Sequence, residues 1–182
     1  RTPLTLILAP IQDMLAKTTD KWMKEQLNYV NRNANRLLNL VNQLMDYRRA
    51  ELGVFKLKVE HTCIYKTVKE NFMFYEKLAR TKNLEYTLIS DIEDKECYAD
   101  PKYVELILNN LLSNAFKYTE KGSITVRLTL KDDQLQLEVS DTGCGIEQDK
   151  HKRIFERFYQ LKNNYVGSGI GLSLVERLVE LH

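Results

Sequence analysis

The sequence has few cysteines and no long apolar run, and each scarcity excludes a class of protein. The three cysteines, Cys63, Cys97 and Cys144, are odd in number, widely spaced and without a Cys-x-x-Cys pair. That pattern favours reduced thiols in a cytoplasmic setting over disulfides or a zinc site. The longest apolar run, Leu6 to Ile11, is interrupted by Pro10 and is far shorter than the ~20 residues of a membrane helix. No signal-peptide pattern opens the sequence.

Net charge is also scarce, because the formal value is only +2. This gives no electrostatic argument for a nucleic-acid binder. With 182 residues, of which 43% are hydrophobic, the chain can bury a core in one or two soluble domains.

Glycine is scarce but clustered: five of the seven glycines lie between Gly143 and Gly171. Glycine allows a positive φ or the close approach of a ligand, so the clustering indicates a binding loop. The cluster begins in the segment Asp141 to Ile146.

Residues 1–51 carry helical patterns. Leu4, Leu8, Ile11 and Leu15 share one helical face, and Thr18 to Asp20 supplies a turn and a cap. A heptad seam then follows, at Met23, Leu27, Val30, Ala34, Leu37, Val41 and Leu44. We predict a helical hairpin that forms a four-helix bundle with a second copy of itself. The alternative is a hairpin packed within its own chain.

A domain boundary is predicted near Leu52, with a second domain over residues 52–182. Strand patterns cover 55–59 and 84–89, and a helical pattern runs from Thr62 to Ala79. Asp91, Glu93 and Asp94 lack the spacing of an EF-hand, so we interpret them as a solvated turn.

Amide side chains lie on the next predicted helix, which Asp100 caps and Pro101 opens. Asn110, Asn114 and Lys117 share one edge of it. An amide oxygen is a suitable Mg²⁺ ligand, and the lysine can contact phosphate. The alternative is that both amides hydrogen-bond nearby loops.

Two alternating strands are predicted from Ser123 to Leu130 and from Leu135 to Ser140, so Asp141 ends a strand. A carboxylate there can accept a hydrogen bond from the exocyclic amine of adenine, although a tight turn would also explain it. Glu147 to Phe158 has a short helical pattern. Tyr159 to Val166 is expected to be a lid, and the alternative is an ordinary surface loop.

Gly167, Gly169 and Gly171 precede a final apolar helix, whose N-terminus can hold phosphate. The glycine spacing matches neither a Rossmann fingerprint nor a Walker P-loop.

These segments together resemble the GHKL (Bergerat-fold) ATPases, in the order and spacing found in sensor histidine kinases. The resemblance rests on the N-box at 110–118, the DxGxG box at 141–146, the F-box at 155–158 and the second glycine box at 167–171. Arg1 to Leu4 is similar to the end of an H-box. The resemblance implies an α+β fold, in which a helical hairpin, half of a dimeric four-helix bundle, precedes an α/β sandwich. We expect the C-terminal strands of that sandwich to be missing from this sequence.

The resemblance also implies roles for individual residues. Asn114 resembles the Mg²⁺ ligand, Asn110 and Lys117 resemble phosphate contacts, and Asp141 resembles the adenine-reading carboxylate. Arg157 matches a γ-phosphate partner, and Thr2 matches a residue that orients water in dephosphorylation. The remaining expected nucleotide contacts are Tyr118, Gly143, Gly145, Ile146, Phe158, Gly167, Gly169, Gly171 and Leu172.

By the same resemblance, Mg²⁺-ATP would phosphorylate a histidine three positions before Arg1, and a response-regulator receiver domain would accept the phosphoryl group. The expected partners are a second copy of the chain and that regulator, with no nucleic acid; a membrane would be reached only through segments outside the sequence. Neither His61, His151 nor His182 has an H-box pattern, so none is expected to substitute. Two alternatives are another GHKL-type ATPase, with Glu105 activating water, and a non-catalytic dimerisation module.

Overall fold

The computed structural model describes residues 2–51, 57–132, 134–160 and 169–182. The chain divides into two compact units, Arg1–Leu52 and Gly53–His182. The first contains only helices, and the second combines helices with two small sheets.

The first unit is a hairpin of α1 (Thr2–Lys17) and α2 (Lys21–Glu51). Asp20 caps the N-terminus of α2, because its carboxylate accepts a hydrogen bond from the backbone N–H of Met23 at 2.8 Å. Leu8 and Ile11 of α1 are 7% and 9% exposed. The predicted helices and the turn between them are therefore confirmed.

The heptad seam of α2 divides into two rows. Leu27, Ala34 and Val41 are partly buried within the hairpin. The other row stays open, with Met23, Val30, Leu37 and Leu44 between 44% and 50% exposed. One hairpin thus covers only half of the apolar seam.

The second unit contains a ribbon of two strands and a sheet of three. In the ribbon, β1 (Glu60–Thr62) pairs antiparallel with β3 (Cys97–Ala99). In the sheet, β2 (Glu85–Ser90) pairs parallel with β4 (Ser123–Lys131), which pairs antiparallel with β5 (Gln134–Asp141). The helices of this unit are α3 (Ile64–Lys82), α4 (Pro101–Tyr118) and α5 (Gly171–Leu181).

The core of the second unit lies between the sheet and its helices. Alternation along β4 places Ile124, Val126 and Leu128 inside, each 0% exposed, against the buried face of α4. An aromatic cluster extends this core, since Tyr86 stacks on Phe72 with ring centroids 3.9 Å apart and meets Phe116 edge-on at 5.2 Å.

The sequence prediction was wrong at two short segments. Residues 57–59 are not a strand, because the chain pairs with β3 only from Glu60 onward; the rest of that predicted strand lies outside the described residues. The helical pattern from Glu147 to Phe158 gives only two 3₁₀ turns, Gln148–Lys150 and Arg153–Phe155. Their hydrogen bonds span three residues, as in the bond from Glu156 N–H to the Arg153 carbonyl at 2.9 Å.

Candidate functional site

Helix α4 carries the amide side chains and begins where the sequence predicts. The Asp100 carboxylate accepts the N–H groups of Lys102 and Tyr103, and Pro101 occupies the first turn. The buried face of the helix is apolar and consists of Tyr103, Val104, Ile107, Leu108, Leu112, Ala115 and Phe116. Because that face holds α4 against the core, its amide edge has a fixed orientation.

Asn110 contacts the start of α5. Its amide NH₂ donates to the Leu106 carbonyl at 2.8 Å, which leaves Oδ1 facing Gly171. A methyl group at position 171 would lie 2.9 Å from that oxygen. The N-box and the second glycine box are therefore in direct contact, and a side chain at 171 would have to displace the Asn110 amide.

Asn114 lies one turn further along α4 and is partly buried. Its amide has no hydrogen-bond partner among residues 2–51, 57–132, 134–160 and 169–182, whereas the neighbouring Asn109 amide donates to Asn71 Oδ1 at 3.0 Å. The alternative that Asn110 and Asn114 both hydrogen-bond nearby loops is not met within the described residues, because Asn110 donates to its own helix and Asn114 has no partner there. At the end of the helix, Lys117 Nζ donates to the Tyr118 hydroxyl at 2.8 Å.

Asp141 is the last residue of β5, and its side chain is exposed. Its Oδ1 accepts the Gly143 N–H at 2.8 Å and the Thr119 hydroxyl at 3.4 Å. Oδ2 makes no hydrogen bond within the described part of the chain, so it can accept one from a ligand. The turn reading of Asp141 is therefore confirmed for Oδ1, and the adenine reading stays a prediction for Oδ2.

Thr119 was not singled out from the sequence. It is 0% exposed and follows α4 directly, with its N–H bonded to the Ala115 carbonyl at 3.0 Å. A small hydroxyl residue after the amide helix was the only signal. Only the folded chain brings its hydroxyl to Asp141.

Gly143 lies against the end of α4. A methyl group at this position would be 2.5 Å from the Tyr118 carbonyl oxygen and 2.7 Å from Asp141 Oδ1, so only glycine fits. The next glycine, Gly145, has φ +67°. Ile146 is 40% exposed, and its carbonyl oxygen lies 3.0 Å from the ring of His151.

The F-box is joined to the second glycine box by a backbone hydrogen bond. Phe158 N–H donates to the Gly169 carbonyl at 2.9 Å, with φ values of +62° and +68° at the two residues. Arg157 is exposed beside them, and Leu172 is partly buried in the first turn of α5. Gly167 and residues 161–166 of the expected lid lie outside the described residues.

Other residues highlighted in the sequence lie away from these contacts. Thr2 begins α1, but its side chain is outside the described part of the structure. Glu105 is exposed and is about 140° around α4 from Asn110. Asp91, Glu93 and Asp94 are exposed in a turn. Cys144 is an exposed free thiol. No helix in the described part of the chain is long and apolar enough to cross a membrane.

Comparison with known proteins gives a family for this arrangement. Residues 99–182 match the family described as "Histidine kinase-, DNA gyrase B-, and HSP90-like ATPase". Histidine kinase P4 of Formosa agariphila is 38% identical over 100% of this chain. Hybrid signal transduction histidine kinase D of Dictyostelium discoideum is 36% identical over 100% of it. The chain spans only 14% and 12% of those two relatives.

Solved structures agree with the sequence comparisons. The crystal structure of full-length ShkA in complex with AMPPNP matches with a TM-score of 0.84 and 26% sequence identity. The match covers 99% of this chain and 38% of the ShkA chain. Acinetobacter baumannii histidine kinase AdeS matches with a TM-score of 0.70 at 20% identity, over 97% of this chain and 83% of its own. The latter likeness shows the fold alone.

The second unit therefore contains an ATPase domain of the GHKL class, and its four motif segments are connected through α4 and the Phe158–Gly169 bond. More narrowly, the relatives are histidine kinases, and the chain carries the catalytic core of a sensor histidine kinase. The recognition and the α+β fold class predicted from the sequence are confirmed.

Proposed function

We propose that this chain binds Mg²⁺-ATP and transfers the γ-phosphoryl group to a histidine on the first hairpin helix, for relay to an aspartate of a response regulator. The observation that carries the proposal is that one helix, α4, touches both glycine segments: Asn110 lies against Gly171, and the Tyr118 carbonyl lies against Gly143. The complex of ShkA with AMPPNP supports a nucleotide at this site.

The available polar groups suit the parts of the nucleotide. Asp141 Oδ2 would accept a hydrogen bond from the adenine amine. The base would be lined by Gly143, Gly145, Ile146 and Tyr118. The Asn114 amide oxygen is a fitting ligand for Mg²⁺, which neutralises phosphate charge when bound. The phosphates would be held by Asn110, Lys117, Gly167, Gly169, Gly171 and Leu172. Arg157 and Phe158 of the F-box would approach them when the lid closes.

The reaction requires positioning more than covalent chemistry from this site. A lone pair on a neutral imidazole nitrogen attacks the γ-phosphorus, and the bond from phosphorus to the β–γ bridging oxygen breaks. The imidazole lone pair forms the new N–P bond, and ADP leaves with the electron pair of the P–O bond that breaks. From the resemblance to an H-box, we expect the histidine three positions before Arg1. Thr2 would help to orient water when the kinase dephosphorylates its partner.

The hairpin supports a homodimer. The open row of Met23, Val30, Leu37 and Leu44 repeats every seven residues, the period at which helices of a bundle interlock. A response regulator is the second partner, and the complex of histidine kinase ThkA with response regulator TrrA supports it at the level of fold, with a TM-score of 0.70 at 20% identity.

The test is phosphorylation of the full-length protein by radiolabelled ATP. We expect an acid-labile phosphohistidine, lost when the histidine before Arg1 is replaced by glutamine. Asp141→Asn should lower ATP affinity by about tenfold to a hundredfold, the range for a hydrogen bond to a charged group. Asp91→Asn, at an exposed turn, is the matched control. Wild-type ATP affinity in the Asp141 variant would contradict the adenine role, and absence of phosphohistidine in the wild type would contradict the kinase.

A further inference from the structure

Asp100 is a buried acidic residue that the proposed mechanism does not use. It is 4% exposed and connects three parts of the second unit. Oδ1 accepts the N–H groups of Lys102 and Tyr103 at 3.1 and 3.3 Å. Oδ2 accepts the Lys58 N–H at 2.9 Å. Its own N–H donates to His182 Nε2 at 3.3 Å.

Helix capping does not by itself explain an aspartate at this position. A cap needs one acceptor oxygen, and serine or threonine would supply it. The second carboxylate oxygen holds the backbone of Lys58. An asparagine would turn an NH₂ toward one of these N–H donors, so only a carboxylate satisfies both sides.

The location of Asp100 links it to the nucleotide site. Helices α4 and α5 are joined at two points: Asn110 lies against Gly171, and Asp100 bonds to His182. Each helix spans about 15 Å between those points, at 1.5 Å per residue. The pair is therefore antiparallel, with the site residues at one end and Asp100 at the other.

Lys58 connects Asp100 to the start of the second unit. It is among the first described residues of the second unit, just after the segment 52–56 that leads from the hairpin. Because Lys58 is bonded to Asp100, the entering chain is attached to the same helix that carries Asn110 and Asn114.

We propose that Asp100 is a positioning residue for phosphoryl transfer, because its bond to Lys58 fixes α4 to the first described residues of the catalytic unit, which follow the hairpin in sequence. The inference rests on the proposed kinase function. Nucleotide binding depends on the site itself, whereas transfer to a histidine on another unit depends on how the site is held. Displacements near 1 Å can cost about a hundredfold in rate.

The test separates the two oxygens of Asp100 in the full-length protein. Asp100→Ser keeps an N-cap acceptor and removes the partner of Lys58. Lys58→Pro removes the donor N–H from the other side, and Lys58→Ala is its matched control because it keeps that N–H. Autophosphorylation rate at saturating ATP, ADP affinity and Tm are measured for each variant.

We expect Asp100→Ser and Lys58→Pro each to lower the rate at saturating ATP by about tenfold, with ADP affinity within about twofold of the wild type. Lys58→Ala should match the wild type, and combining Asp100→Ser with Lys58→Pro should add little, since both remove one bond. A wild-type rate in Asp100→Ser, or equal losses of rate, affinity and Tm, would overturn the inference. If Lys58→Pro does not fold, Asp100→Ser decides alone. No transfer by the wild type would instead overturn the proposed function.

Discussion

Asn114 differs from its neighbours on α4 because its amide makes no hydrogen bond within the described residues. Asn114→Ala should therefore weaken binding of Mg²⁺-ADP by about tenfold and leave metal-free ADP nearly unchanged, as expected for the loss of a metal ligand. Calorimetric titration with and without Mg²⁺ measures both. Asn109→Ala, which breaks only the bond to Asn71, is the control on the same helix. Equal losses with and without the metal would sink the ligand role.

Thr119 orients the carboxylate proposed to read adenine. Thr119→Val keeps the shape of this buried side chain but removes the hydroxyl that donates to Asp141. We expect ADP affinity to fall about threefold to tenfold, less than for a short hydrogen bond to a carboxylate because this contact is 3.4 Å long. Thr119→Ser restores a donor and should recover most of the affinity in the same titration. If serine is as weak as valine, packing rather than orientation explains the loss.

At this scale the sequence identified residues whose chemistry is visible in their type and spacing. Asn110, Asn114, Asp141 and the glycines could be selected because amides on one helical edge and clustered glycines are unusual. The part played by Thr119 could not, since it depends on an approach across the 22 residues that separate it from Asp141. Tertiary contacts of this kind leave no local pattern.

Strand β2 carries a buried tyrosine hydroxyl, that of Tyr86, which has no hydrogen-bond partner in the described part of the chain. Burial raises the pKa of Tyr86 above its ordinary value of 10.0, and the charges of Tyr75 and Glu76 raise it further. The folded chain therefore retains a proton that the unfolded chain releases above about pH 10, so this residue favours unfolding in alkali.

Tyr86→Phe should consequently give an equal or higher Tm at neutral pH, because it removes an unsatisfied buried hydroxyl. It should also move the alkaline unfolding midpoint to higher pH. Circular dichroism against temperature and against pH measures the two effects. Tyr98→Phe, at a side chain that is 77% exposed, should change neither. A lower Tm for Tyr86→Phe would mean that the hydroxyl is bonded in the folded protein.

Long elements were predictable and short ones were not. The helix caps at Asp20 and Asp100 and the alternation along β4 are strong local signals. The segment from Glu147 to Phe158 has a helical pattern over too few residues to choose between an α-helix and 3₁₀ turns. Within this segment Lys150 pairs with Glu147, which raises the pKa of the lysine, but an i,i+3 pair fits either geometry.

The open row on α2 makes a prediction about assembly. Leu37→Glu would place an unpaired charge in the proposed dimer interface, and we expect dimer affinity to fall at least about a hundredfold. The hairpin itself should persist, because Leu37 is already 50% exposed within one chain. Light scattering after size exclusion measures the mass. Asn39→Glu, at an exposed position on the opposite side of α2, should remain dimeric, and a dimeric Leu37 variant would contradict the interface.

For the whole molecule, periodicity predicted a helical N-terminal part followed by helices and strands, and the resemblance to the GHKL ATPases implied the α+β class. They did not predict the order of strands. The parallel pairing of Glu85–Ser90 with Ser123–Lys131 joins segments on either side of α4, and the pairing of His61 with Tyr98 joins residues on either side of α3. Such pairings are decided by the packing of α3 and α4, which no single segment encodes.

Because Phe158 N–H is hydrogen-bonded to the Gly169 carbonyl, the segment between these residues can be exchanged for another. Both ends of the loop are fixed to each other, and Gly169 leads directly into α5. The entropy of closing a loop grows slowly with its length, by about 0.6 kcal/mol for each doubling. Segments of other lengths and compositions could therefore join Phe158 to Gly169 without displacing α4 or Asp141, so the length of this segment could evolve separately from the candidate site.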